Sequence, residues 1–155
     1  MTTIYEHRQP GVLMRWILWG GSAAAGLWCL YFRMWRGYPW RFSSGPLLVA
    51  GILVIAAVLF DSLSVRVDPE TIRLWFGPGW PRKTIHLADV AGCQAVRNTW
   101  RHGWGIHGYR RWWVFNVSGF DAVEVRLKNG GWVRIGTDDP AALESAIRQA
   151  LPNSS

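Results

Sequence analysis

The sequence predicts an α+β chain: a two-helix transmembrane hairpin, then seven antiparallel strands, then one closing helix. Three observations predict it. Trp16 to Phe32 and Phe42 to Phe60 run for seventeen and nineteen residues without a charge, and ~17–25 mostly apolar residues suffice for a helix to cover a hydrocarbon core with every backbone amide satisfied internally. From Leu63 onward apolar residues recur every second position, the period of half-buried strands. Near the end Leu143, Ile147 and Leu151 recur every fourth position, which lines one face of a helix.

These signals divide the chain into a polar tail (1–11), a hairpin (12–62, helices at about 12–32 and 43–61) and a domain (63–155). The tail is short and polar and is expected to be mobile. Ala23-Ala24-Ala25 imitates a signal-peptidase site, but the apolar run continues to Phe32, so the segment is expected to be retained. The alternative, a hairpin buried inside a water-soluble fold, needs a large partner core, and only about 95 residues remain to supply one. Between the helices Arg33, Trp35, Arg36, Tyr38, Trp40 and Arg41 suit a lipid headgroup layer, and Pro39 prevents one continuous helix. Gly20 with Ala24 and Ser22 with Gly26 let backbones approach closely, as do Ala50, Gly51, Ala56 and Ala57 in the second run. Packing within the hairpin is expected to use these faces, with a homo-oligomer as the alternative.

In the domain, Leu63-Val65-Val67 and Ile72-Leu74-Phe76 flank the turn Asp68-Pro69-Glu70, and Gly77 to Pro81 breaks the chain. Strands follow at Arg82 to Leu87, Asp89 to Asn98, Arg111 to Ser118, Asp121 to Leu127 and Trp132 to Gly136. Trp100 to Tyr109 reads as a long loop. Asn129-Gly130 is a tight-hairpin signal. Asp139-Pro140 supplies an N-cap and a first-turn proline for the closing helix, and Pro152 ends it.

The net charge of +7 divides into +4 over residues 1–60 (five arginines against Glu6) and +3 over residues 61–155 (twelve basic against nine acidic). That distribution favours anionic lipid as a partner and argues against nucleic acid. Cys29 and Cys93 lie in different environments and make no disulfide framework. Twelve tryptophans are many for 155 residues, and indole prefers sites apolar at one end and wet at the other.

Chemistry-bearing patterns are weak. Gly103-x-Gly105-x-x-Gly108 matches a dinucleotide fingerprint, yet Tyr109 to Phe115 reads as strand where the motif requires a helix. His86, His102, His107 and Cys93 lack zinc-ligand spacing. Asp138-Asp139 are explained by helix capping, and no nucleophile motif occurs, so no cofactor, metal or catalytic group is expected. The one segment denser in aromatic and basic groups than a fold requires is Trp100 to Trp112. Within it Trp100, Arg101, Trp104, His107, Tyr109, Arg110 and Arg111 are candidate lipid or partner contacts; the plain alternative is that its tryptophans cover the end of the core.

Seven strands and a closing helix after a membrane hairpin, with the phrases Gly103-Trp104-Gly105-Ile106, Asn116-Val117-Ser118-Gly119 and Arg134-Ile135-Gly136-Thr137-Asp138-Asp139-Pro140, resemble the bacterial membrane-anchored pleckstrin-homology-like (PH-like) family. The resemblance covers about Leu63 to Leu151. It implies a PH-like barrel at a bacterial inner membrane, multi-pass, acting as a lipid- or protein-binding adaptor or as an accessory subunit of a membrane complex; an enzyme is least favoured. It also favours a cytoplasmic domain, where a free Cys93 is tolerated. The acidic first turn, Asp68-Pro69-Glu70, departs from the basic turn with which phosphoinositide-binding members meet phosphates.

Overall fold

The computed structural model describes residues 3–37, 39, 44–99 and 104–151. Strand β1 (Tyr5–Pro10) leads into helices α1 (Val12–Arg36) and α2 (Ser44–Leu59). Strands β2 (Ser62–Val67), β3 (Thr71–Phe76) and β4 (Arg82–His86) follow, then a single 3-10 turn (Leu87–Asp89). The remainder is β5 (Val90–Arg97), β6 (Gly105–Tyr109), β7 (Trp112–Asn116), β8 (Asp121–Leu127), β9 (Trp132–Gly136) and α3 (Pro140–Ala150).

The strands form two sheets, of order β1-β2-β3-β4 and β5-β8-β9-β7-β6. Alternation places Leu63, Val65 and Val67 of β2 and Ile72, Leu74 and Phe76 of β3 on one face, and all six are buried. They share a core with Phe115, Val123, Val125, Val133 and Ile135 of the second sheet and with Leu143 and Ile147 of α3. Asp139 caps α3 by accepting from the Ala142 amide at 3.1 Å, and Pro140 occupies the first turn.

The architecture corrects the expected seven-stranded closed barrel. Among the described residues the strands form two separate sheets and no closed barrel, and β7 runs parallel to β9. Two strands beyond the expected seven are present. Tyr5–Pro10, read as tail, pairs with β2 from Tyr5↔Val67 to Pro10↔Ser62. Its polar side chains are held by partners remote in sequence: Glu6 accepts from Arg66, and Gln9 donates to the Ser118 carbonyl. Gly105–Tyr109, read as loop, pairs with β7. Alternation reveals which face a residue takes; it does not specify closure or strand order.

The transmembrane expectation is also overturned. Among the described residues no helix is long and apolar enough to cross a membrane. Helix α1 has 25 residues, but its charge-free run is diluted by Trp16, Trp19, Gly20, Gly21, Ser22, Gly26 and Trp28. Helix α2 is apolar throughout but has 16 residues, about 24 Å at 1.5 Å per residue, short of a core of about 30 Å. The integral inner-membrane assignment, the multi-pass localisation and the spanning hairpin are therefore not supported.

The two helices still pack as a hairpin. Ser22 Oγ donates to the Ala50 carbonyl at 3.2 Å, and a Cβ on Gly21 would meet Leu53 at 3.3 Å. At the base a Cβ on Gly11 would lie 2.5 Å from the Phe60 carbonyl oxygen, so only glycine lets the chain turn from β1 into α1 there.

Candidate functional site

Two surfaces stand out. The first is the hairpin. Trp16 and Trp35 are 76% and 79% exposed and Ile55 is 61% exposed, and Leu27, Trp28, Met34, Leu48 and Ile52 are exposed with them. Exposed apolar side chains occur on both helices, and α2 has no polar residue after Ser44. An isolated surface leucine needs no explanation, whereas a contiguous apolar surface of this extent marks a contact site. Arg33 and Arg36 occupy the last turn of α1, where cations complement the helix C-terminus. Of the expected interface residues, Arg33, Trp35 and Arg36 sit on α1; Tyr38, Trp40 and Arg41 lie outside the described residues.

The second is a cleft of about 620 Å³ between β4 and the turns of the second sheet. Lys83 and His86 come from β4, Arg110 and Arg111 from the β6–β7 turn, and Lys128 from the β8–β9 turn. Ile85, Trp113, Leu127 and Val133 supply apolar lining, and Asp89 is the one carboxylate among the described residues that line it. Arg110 and Arg111 form a two-residue hairpin turn, flanked by the pair Tyr109↔Trp112. Arg110 takes the left-handed conformation, φ 55°, at a position where such turns ordinarily use Gly, Asn or Asp. Its guanidinium lies over the Tyr109 ring, 5.8 Å from the centroid.

Seven arginines elsewhere on the molecule are held in ion pairs, while among the described residues Arg36, Arg82 and Arg97 are not. Arg8 and Arg15 face Asp61, Arg66 faces Glu6, Arg73 faces Asp68, Arg126 and Arg134 face Glu124, and Arg148 faces Glu144. Among the described residues Lys83, Arg110, Arg111 and Lys128 have no ion pair; Arg111 donates only to the Asn129 carbonyl, at 3.4 Å. A cleft lined by one sign of charge, with partly apolar walls, concentrates counter-ions.

The other polar clusters are accounted for by the fold. Burial raises the Glu124 carboxyl, but hydrogen bonds from Arg134 and Arg126 and their charges outweigh it, leaving Glu124 below the ordinary carboxylate value. The backbone amide of Ala95, then Arg148, hold Glu144 low. Burial pushes the Cys93 thiol up, with Glu144 adding to the shift and Arg148 opposing it.

The expected contact segment is thus partly assembled into the second surface. Tyr109 is 63% exposed, and His107, Arg110 and Arg111 are exposed. Trp104 is half-buried, its ring 6.0 Å from that of Phe120, and faces the fold. Trp100 and Arg101 lie outside the described residues. Gly105 and Gly108 of the fingerprint-like motif sit in β6, which continues into strand β7 rather than a helix. Among the described residues no group of three His, Cys, Asp or Glu could hold a metal ion. Sequence reasoning missed Lys83, His86 and Lys128, which lie far from the Arg110-Arg111 pair in the chain; the Asn129-Gly130 turn signal marked Lys128's position but not its company.

No protein-family model matches the chain, and no curated protein matches it. The PH-like resemblance therefore rests on the sequence phrases that suggested it.

Proposed function

We propose that this protein is a binding module, acting by contact rather than by chemistry, that seats its apolar hairpin among the acyl chains of a lipid surface. The observation that carries the reading is the exposure of large apolar side chains on both helices. A protein groove that receives a helix reads one stripe of it. Apolar surface exposed on both helices wherever they do not pack on each other suits an environment that is apolar around the whole hairpin. Exposed tryptophans at both ends of α1, Trp16 and Trp35, fit the boundary between acyl chains and water. The reading concerns immersion of side chains, and crossing a bilayer plays no part in it.

The test is flotation of the purified full chain with zwitterionic vesicles after removal of mild detergent. The wild-type protein is expected in the lipid fraction. A Leu48→Asp, Ile55→Asp variant is expected below it, since each buried carboxylate costs several kcal/mol. A wild-type protein that stays out of the lipid fraction as a stoichiometric complex with a co-purifying protein would replace lipid by a protein partner.

A further inference from the structure

From the cleft beside β4 we infer a second binding site, which takes a small organic anion bearing phosphate-type oxygens. Four cations drawn from three separate elements, Lys83, Arg110, Arg111 and Lys128, converge on one concavity without a carboxylate partner among the described residues. Solvated surface charges need no concavity; Arg36, Arg82 and Arg97 are also without an ion pair among the described residues, but it is the convergence of four such cations on one hollow that sets this place apart. Arginine side by side with arginine is the arrangement that can offer forked N–H donors to clustered oxyanions, while lysine adds mobile point charges.

The backbone supports the same assignment. Arg110 holds a left-handed conformation that a glycine would adopt without strain. Strain of this kind persists at sites where a particular side chain is needed. Its effect here is to carry two guanidinium groups on the tip of a tight hairpin, facing β4 across the cleft.

The volume, about 620 Å³, is far larger than one phosphate and falls in the ~300–1,000 Å³ range of small-molecule pockets. Trp113 and Ile85 give the remainder of a ligand an apolar surface to lie against. The shared chemistry is thus a phosphorylated compound with an apolar or planar body. Such a group could come from a lipid headgroup or from a water-borne molecule. Strand register favours the second source: Phe76 of β3 ends beside the hairpin base, where Gly77 abuts the Val58 and Leu59 carbonyls, whereas His86 pairs with Thr71 at the other end of β3. That preference for a water-borne source rests on the lipid reading of the hairpin; the anion site itself does not.

The experiment is calorimetric titration of the full chain in mild detergent with inorganic pyrophosphate at low salt. Saturable binding at one site is expected. Arg110→Gln with Arg111→Gln, and separately Lys83→Gln with Lys128→Gln, should each weaken it about tenfold or more, because each pair removes charge-assisted hydrogen bonds. All four side chains are exposed or at turns, and unchanged melting temperatures verify that the variants are folded; should one pair fail to fold, the other, on different elements, gives the answer. Flotation of the Leu48→Asp, Ile55→Asp variant, which the hairpin no longer carries into lipid, with vesicles containing anionic lipid is run in parallel. No flotation, or flotation unaffected by pyrophosphate and by the arginine substitutions, identifies a water-borne ligand, and flotation weakened by both identifies a headgroup. Absence of saturable pyrophosphate binding, or binding equally tight in both double variants, overturns the site. Neither result depends on whether the hairpin enters lipid, so the two readings fail separately.

Discussion

The carboxylate of Asp61 accepts from Arg15 through Nε at 2.9 Å and Nη2 at 2.7 Å, closing the hairpin base where α2 returns to β2. Arg8 approaches the same carboxylate at 3.8 Å. Asp61 therefore ties the first turn of α1 and the end of β1 to the start of the first sheet. Both groups are partly exposed, so the pair's coupling in a double-mutant cycle with Asp61→Asn and Arg15→Gln is expected at about 0.5 kcal/mol and below 1 kcal/mol. Proteolysis at the hairpin base is expected to quicken in either single variant.

Acid stability is governed by Glu124 and Glu144. Both carboxyls are held below the ordinary value in the folded protein. A depressed folded pKa contributes stability that is complete above the unfolded value of about 4.3 and is lost as pH falls through the folded value. The melting temperature is therefore expected to be level near neutrality and to fall below about pH 4.5. Glu124→Gln should lower it at pH 7, with a loss of stability of roughly 1–3 kcal/mol because Arg134 loses its carboxylate partner at a largely buried site, and should flatten the acid limb. An acid limb identical in wild type and Glu124→Gln would remove Glu124 from this role.

Helix α3 is held by Leu143 and Ile147, both 0% exposed. Leu143→Ala is expected to cost about 2–5 kcal/mol through lost burial and the cavity left behind. Leu143→Asp should prevent folding, because its charge would have no partner in the core. A circular dichroism melt indifferent to either change would mean that α3 does not close the core.

Arg110→Gly should stabilise the protein by about 1 kcal/mol, by relieving the left-handed backbone at the hairpin tip. The same change should weaken pyrophosphate binding. Opposite signs in the melt and in the titration are the signature of a strained residue retained for its side chain.

What was legible in the sequence, and what was not, follows from the range of the interactions involved. Leu63-Val65-Val67 and Ile72-Leu74-Phe76 alternate cleanly because each strand presents one face to the core, and their hairpin pairs as the pattern implies. Asp139-Pro140 marked a helix start because capping is a local matter. Strand β1 was illegible: Tyr5, Glu6, His7, Arg8 and Gln9 show no apolar alternation, and their partners lie more than fifty residues away. Strand β6 reads as loop because of Gly105 and Gly108. Gly108 serves close approach instead, since a Cβ there would lie 2.9 Å from the Trp112 carbonyl oxygen. The membrane-length criterion misled on α1 because it counted charges, and Trp, Gly and Ser carry none while still lowering hydropathy; on α2 it misled because the helix, at 16 residues, is shorter than the charge-free run. The cleft was half legible: Arg110 and Arg111 stood out as basic and aromatic in company, but Lys83 and Lys128 join them only through the stacking of two sheets.

The central claim, that the hairpin lies among acyl chains, is tested most directly by spin labels at Ile55→Cys on α2 and at Lys128→Cys by the cleft, in a Cys29→Ala, Cys93→Ala background with vesicles present. The label at position 55 is expected to collide with dissolved oxygen and to be shielded from a water-soluble nickel chelate, while the label at position 128 shows the reverse. Equal access of the chelate to both labels would contradict the claim.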